Sequence, residues 1–113
     1  EDMTLFEGHF KRSFLSVNDL VKGFALGIKH HDIMKGKIWN VGDESLNCTK
    51  LEICKIIQKH IPNWKYTEDT KLVHDQDGRN YFVDYTKIRN IGFIAKESLD
   101  QGIINLIKVY KNL

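Results

Sequence analysis

Between residues 12 and 21 the chain reads Arg12-Ser13-Phe14-Leu15-Ser16-Val17-Asn18-Asp19-Leu20-Val21, an extended stretch that runs straight into a capped helix. The extended part covers Lys11 to Ser16, with Phe14 and Leu15 apolar. The helix starts near Asn18 or Asp19. Either can cap it, because a side-chain oxygen there accepts a backbone N–H that has no partner inside the helix. Leu20, Val21, Phe24, Ala25 and Ile28 then recur at helical spacing and make one apolar face. Lys29, His30 and His31 fall in the last turn, where positive charge suits the helix dipole.

Working outward, the same alternation continues. Thr4-Leu5-Phe6 reads as a short strand ending at Gly8. Lys35-Gly36-Lys37 is a turn, and Ile38-Trp39-Asn40-Val41 a buried strand that stops at Gly42. Asp43 to Leu46 is a loop. A second helix is expected from near Asn47 to about His60, with Leu51, Cys54, Ile57 and Ile61 as its core stripe and Pro62 just past its end. Trp64 to Val73 holds one or two short strands, and His74 to Gly78 is a polar loop. Asn80 to Val83 is extended. Asp84 caps a short helix over Tyr85 to Ile91, closed by Gly92 at the left-handed position. The last helix starts at Ser98, with Gln101 completing a capping box. Leu99, Ile103, Leu106, Ile107 and Tyr110 form its buried face. The fold class is α/β: about three main helices plus short strands in a single domain over residues 1–113.

A chain of 113 residues and 13.2 kDa is one domain at most, and buries roughly 65% of the surface its unfolded form exposes. With 42% hydrophobic residues, 28% charged residues and one Pro, it has globular composition, which excludes a disordered chain. Lys plus Arg is 17 and Asp plus Glu is 15, a net charge of +2, too small to argue for nucleic acid. No apolar run approaches the roughly 18 residues of a membrane span. Cys48 and Cys54 match no zinc or redox spacing, so a reducing, cytoplasmic setting is the simplest reading. The sequence begins at Glu1 rather than Met, and is expected to belong to something longer.

A complete enzyme needs a nucleophile or an acid–base pair, and the candidates for these in the sequence are poor. There is no phosphate-cradling glycine loop of the GxGxxG or GxxxxGK type, and no Tyr is followed four residues later by Lys. His30-His31-Asp32 reads as a solvated helix end rather than a metal site, and Cys54 as a small core residue. No catalytic, cofactor-binding or metal-ligating residue is assigned. Arginine says more. Only Arg12, Arg79 and Arg89 among the 17 basic residues are Arg, the side chain that grips phosphate with two parallel hydrogen bonds. Arg12 and Arg79 are candidate ligand contacts, each with a structural salt bridge as its alternative. Arg89 reads as a surface residue.

The stretch from Arg12 to Val21 resembles a motif of the NAD-dependent epimerase/dehydratase family, the extended short-chain dehydrogenases that act on nucleotide-activated sugars. Ile38-Trp39-Asn40-Val41-Gly42 is similar to that family's strand of apolar, aromatic, Asn, apolar and Gly residues. Arg79 to Ile88 resembles its Asp, Ser/Thr, Lys segment, and Ile91-Gly92-Phe93 stands where the family has Leu-Gly-Trp or Leu-Gly-Phe. Leu99 to Tyr110 looks like its closing helix. The motifs come in the family's order and cover nearly the whole chain.

The resemblance implies the C-terminal, substrate-binding portion of such an enzyme, inactive alone. NAD or NADP would be bound by the N-terminal Rossmann half, which would also carry the catalytic Tyr and Lys. The implied partners are a nucleotide-diphosphate sugar and that Rossmann half, within a homodimeric parent, and not nucleic acid or membrane. Arg12 would be the nucleotide-phosphate contact. The family's second Arg falls nearest His74 here, within His74-Asp75-Gln76-Asp77, which makes His74 a candidate contact; either Arg79 takes over that role or the grip is weaker. Asn18, Asp19, Asn40, Asp84 and Lys87 match motif positions and read as structural. The Ile38–Val41 strand would join the Rossmann sheet, so the isolated piece is expected to expose apolar surface and to dimerise or partly misfit. The rival reading is a stand-alone binding or interaction module, with nucleic acid among its candidate ligands, or a remnant that folds and does nothing alone.

Overall fold

The computed structural model describes residues 3–69 and 78–112. In chain order they form β1 (Met3–Phe6), β2 (Lys11–Ser13), α1 (Val17–Lys29), the one-turn α2 (His31–Met34), β3 (Asn47–Thr49), α3 (Lys50–His60), β4 (Tyr66–Asp69), the short α4 (Thr86–Arg89) and α5 (Leu99–Lys111). A 3-10 turn, Glu44–Leu46, leads into β3. β1 pairs in parallel with β4, and β2 pairs antiparallel with β3, placing Arg12 opposite Cys48. Three long helices and short strands are what the sequence led us to expect. The expected strand region beyond Asp69 and the loop up to Asp77, His74 included, lie outside the described residues.

The helix starts differ from the sequence reading, each for a local reason. α1 is capped by Ser16, whose hydroxyl oxygen accepts from the Asp19 N–H, and not by Asn18 or Asp19. α3 begins at Lys50 instead of near Asn47. Thr49 accepts from the Glu52 N–H while the Glu52 carboxylate accepts from the Thr49 N–H, a reciprocal box that fixes the start and leaves Asn47–Thr49 free to pair as a strand. Ser98 caps α5 as expected, but the Gln101 side chain reaches forward to Asn105 instead of back. The short helix is confined to Thr86–Arg89, with the Asp84 carboxylate accepting from the Thr86 N–H and Gly92 left-handed at φ 97°.

The core is small. Tyr85, Ile88 and Phe93 are its centre, with Leu26, Trp39, Val41 and Val83 packed against them. The Tyr85 ring sits so close to Gly42 that a Cβ added there would lie 2.5 Å from the ring, so no larger residue fits without moving it. At the edge of this core the Glu44 carboxylate accepts from the Tyr85 N–H and pairs with Arg89, which is therefore anchored although it lies at the surface.

The apolar face expected on α1 is largely uncovered. Phe24 is 70% and Ile28 81% exposed; the residues α1 buries are Asp19 and Gly23. Ile38 is 87% exposed, and residues 38–41 form no strand, because no described strand lies beside them to pair with. On α5 only Ile103 is buried, and Leu106 and Tyr110 face out. The accessible surface is 8217 Å². A compact monomer of this mass would expose about 6,400 Å². The radius of gyration, 16.6 Å, likewise exceeds the roughly 13 Å of a compact chain this long. Apolar area has been left facing water.

Asp19 is the exception to this openness. It is fully buried, and its carboxylate accepts from the backbone N–H groups of Lys96 and Glu97, both at 2.9 Å, and from Lys22 Nζ at 2.7 Å. Burial pushes its pKa up, but the hydrogen bonds from Lys22, Glu97 and Lys96 outweigh that and hold the carboxyl below its ordinary 3.8. A folded-state pKa below the unfolded one gives stability that is complete above the unfolded value and is lost as pH falls through the folded value.

Asp19→Ala should cost about 2–4 kcal/mol in urea unfolding, since two buried N–H groups lose their acceptor. Its loss of stability relative to the parent chain should shrink as pH drops below about 4. A cost under about 0.5 kcal/mol at neutral pH would show that the cluster is not an anchor. For the uncovered surface, sedimentation at rising concentration should show self-association that Phe24→Glu weakens. A monodisperse monomer at every concentration would refute this.

Candidate functional site

β2 carries the first candidate residue and is held on both sides. On one side lies β3, reinforced by Ser13 Oγ donating to Asn47 Oδ1 at 2.5 Å. On the other lies the extended segment 79–83. The Lys11 N–H donates to Asn80 Oδ1 at 2.9 Å, the Tyr81 N–H donates to the Lys11 carbonyl at 3.2 Å, and Asn47 Nδ2 donates to the Val83 carbonyl at 3.1 Å. Three stretches far apart in sequence are thereby laid side by side.

This brings Arg12 and Arg79 together. Arg12 Nη1 donates to the carbonyl of Arg79 at 2.8 Å and to that of Lys11 at 2.9 Å. Its guanidinium lies over the Tyr81 ring, 5.1 Å from the centroid, and 5.8 Å from the centroid of Phe10. The Arg79 guanidinium lies 5.7 Å from the same Tyr81 centroid. Two guanidinium groups and two aromatic rings form one cluster, with Arg12 and Tyr81 half-buried and Arg79 exposed. Arg12 is fixed by two carbonyls and a strand register, so its geometry is set before any ligand arrives. Such a group suits an anion with several oxygens, because guanidinium is permanently charged and its donors lie in one plane.

The other side chains singled out in the sequence serve the fold. Asn40 reaches the Asp84 carbonyl at 3.5 Å, and Lys87 Nζ donates to the Ile38 carbonyl at 2.7 Å while lying 4.4 Å from the Trp39 ring centroid. Asn18 donates to Glu97. Both cysteines are buried and unpaired; burial, with the Glu52 charge adding to it, pushes the Cys48 thiol up to about 11, and burial raises Cys54 as well. Neither is poised as a thiolate. His31 and Asp32 are both exposed, and no group of three His, Cys, Asp or Glu among the described residues is placed to hold a metal ion. Asn47, whose side chain ties β3 to both β2 and the 79–83 segment, was missed in the sequence. The Thr49-x-x-Glu52 box was the signal that could have found it, since it puts the helix start beyond Asn47.

No family model matches the sequence. Solved structures do match in fold. The GDP-6-OMe-4-keto-L-xylo-heptose reductase of Campylobacter jejuni superposes with a TM-score of 0.81 at 17% identity, over 99% of this chain and 34% of that one. The ADP-L-glycero-D-manno-heptose-6-epimerase of Helicobacter pylori gives 0.78 at 20% identity, over 99% and 34%. The UDP-glucuronic acid 4-epimerase of Bacillus cereus, solved with UDP-glucuronic acid and NAD, gives 0.79 at 17% identity, over 96% and 35%. The chain thus has the fold of about a third of each of these nucleotide-sugar enzymes, and spans only that third of their length. Among the described residues no helix is long and apolar enough to cross a membrane.

Proposed function

We propose that this chain is the C-terminal, substrate-binding portion of an NAD(P)-dependent enzyme of the epimerase/dehydratase family, and that it grips the diphosphate of a nucleotide-activated sugar. The observation that carries this reading is the pairing of Arg12 and Arg79 at one ring, on a fold shared with enzymes whose substrates are nucleotide sugars. Sequence order supports it too: the Arg12–Val21 stretch opens the match and the Arg79–Ile88 stretch supplies the second Arg.

The remaining parts of this reading concern a longer enzyme: a Rossmann half that binds NAD or NADP, a homodimer, and a cytoplasmic setting. NAD(P), when bound there, supplies hydride chemistry at the sugar. In this reading the cofactor is held by that half, and no catalytic step is assigned to the residues of this chain. Their part is to bind and orient.

Titration of the chain with UDP, dTDP, GDP, CDP and ADP, followed by heteronuclear NMR, tests this. Shifts should cluster at residues 10–13 and 79–83. Arg12→Lys, which keeps the charge and loses the fork, should bind roughly tenfold more weakly. A folded chain whose spectrum ignores every one of these nucleotides would overturn the preformed grip.

A further inference from the structure

We infer that the turn Glu7–Phe10 is the nucleobase rest beside this grip, and that the exposed ring of His9 is the surface on which the base stacks. The inference rests on reading Arg12 as a diphosphate contact, and goes beyond it by naming what meets the other end of the nucleotide. The turn joins β1 to β2 and closes with the Phe10 N–H donating to the Glu7 carbonyl at 3.3 Å. It is docked on the start of α3. The Leu51 N–H donates to the Gly8 carbonyl at 2.9 Å, and the Lys50 N–H to the Phe10 carbonyl at 3.3 Å. A helix start carries backbone N–H groups with no partner inside the helix, and two of those of α3 are satisfied by the turn. Gly8 is buried between Leu5 and α3: a Cβ added there would lie 2.8 Å from Leu5 Cδ2 and 3.2 Å from Leu51 Cβ. Glu7 takes a left-handed φ of 46°, which a residue with a side chain rarely adopts. Strain of this kind persists where the surrounding structure over-determines the backbone, and the bonds to α3 do so here.

The shape so fixed presents two rings. The His9 and Phe10 centroids are 4.2 Å apart, with the rings tilted by 40°. Phe10 is half-buried and His9 exposed. The Arg12 guanidinium lies 5.8 Å from the Phe10 centroid. Arg12, Phe10 and His9 therefore follow one another as diphosphate, ribose and base do in a nucleotide. Among the described residues the His9 side chain makes no hydrogen bond or ion pair, so its ring is not committed to holding the fold. An exposed ring backed by a second ring suits a flat π-system, and every nucleobase has one. Stacking reads the π-face and not a hydrogen-bond pattern. The rest thus accepts purines and pyrimidines alike, and favours a nucleoside diphosphate over a diphosphate that carries no base.

Inorganic pyrophosphate, which has the diphosphate without the base, separates the two ends. In the full chain, the base protons of UDP and GDP should move upfield on binding, under the ring current of His9. His9→Ala should weaken both nucleotides roughly tenfold and leave pyrophosphate affinity unchanged. His9→Phe should restore nucleotide binding, because it returns a ring without the hydrogen-bonding atoms of imidazole. His9 is exposed, so both variants should keep the fold, which their amide spectra check. Nucleotide affinity that ignores His9→Ala, or an equal loss for pyrophosphate and nucleotides, would overturn the base rest and leave the Arg12 grip standing. If neither pyrophosphate nor any nucleotide binds the unaltered chain, the diphosphate reading itself falls, and the base rest with it.

Discussion

The arrangement depends on one buried carboxylate. Asp19 sits in the first turn of α1 and accepts two backbone N–H groups from Lys96 and Glu97, 77 and 78 residues away. Those residues lead directly into α5, so the start of the first long helix and the approach to the last are joined at one point. Hydrogen bonds to an ionised group are worth about 1.5–3 kcal/mol each. Two of them, with Lys22 beside them, outweigh the desolvation that burying a carboxylate costs, which is why Asp19 stays ionised below its ordinary range. Ser16 capping the same turn and Asn18 donating to Glu97 place three neighbours in one cluster.

Such an anchor matters because the apolar core is too small to organise the chain by itself. Tyr85, Ile88 and Phe93 form a compact centre, but most of the apolar residues of α1 and Ile38 face water. α1 keeps an apolar stripe uncovered, and residues 38–41 have no strand partner among the described residues. Polar clamps carry what packing leaves undone: Asp19 to 96–97, Glu44 to Tyr85 and Arg89, Asn47 to Ser13 and Val83, and Asp100 to Lys59 and His60 across α3 and α5. The matched structures are about three times as long as this chain.

Much of the order of elements was legible in the sequence, because it depends on local signals. The stripe of α3, the turn at Gly36, the left-handed Gly92 and the Ser98 cap follow from spacing and residue type alone. Errors arose where two local signals competed. Ser16, Asn18 and Asp19 can all cap a helix, and only the N–H groups of Lys96 and Glu97, invisible in the local sequence, draw Asp19 away from that role. The apolar pattern of residues 20–28 correctly marked a helix face, but periodicity cannot say whether anything lies against it. Ile38–Val41 has strand composition and no strand partner among the described residues; composition supplies one strand, and a ladder needs two. Arg12 and Arg79 were found by type, and Tyr81 gave no signal beyond belonging to the same motif.

The Arg12–Val21 stretch links these parts because its two ends face different later segments. Its first residue donates to the Arg79 carbonyl, 67 positions on, and its eighth accepts from residues 77 and 78 positions on. Only Ser13 to Asn18 separate them, and Ser16 already caps α1. The Arg12–Arg79 contact and the buried carboxylate therefore lie on one short span of chain, tied at its two ends to two different later segments.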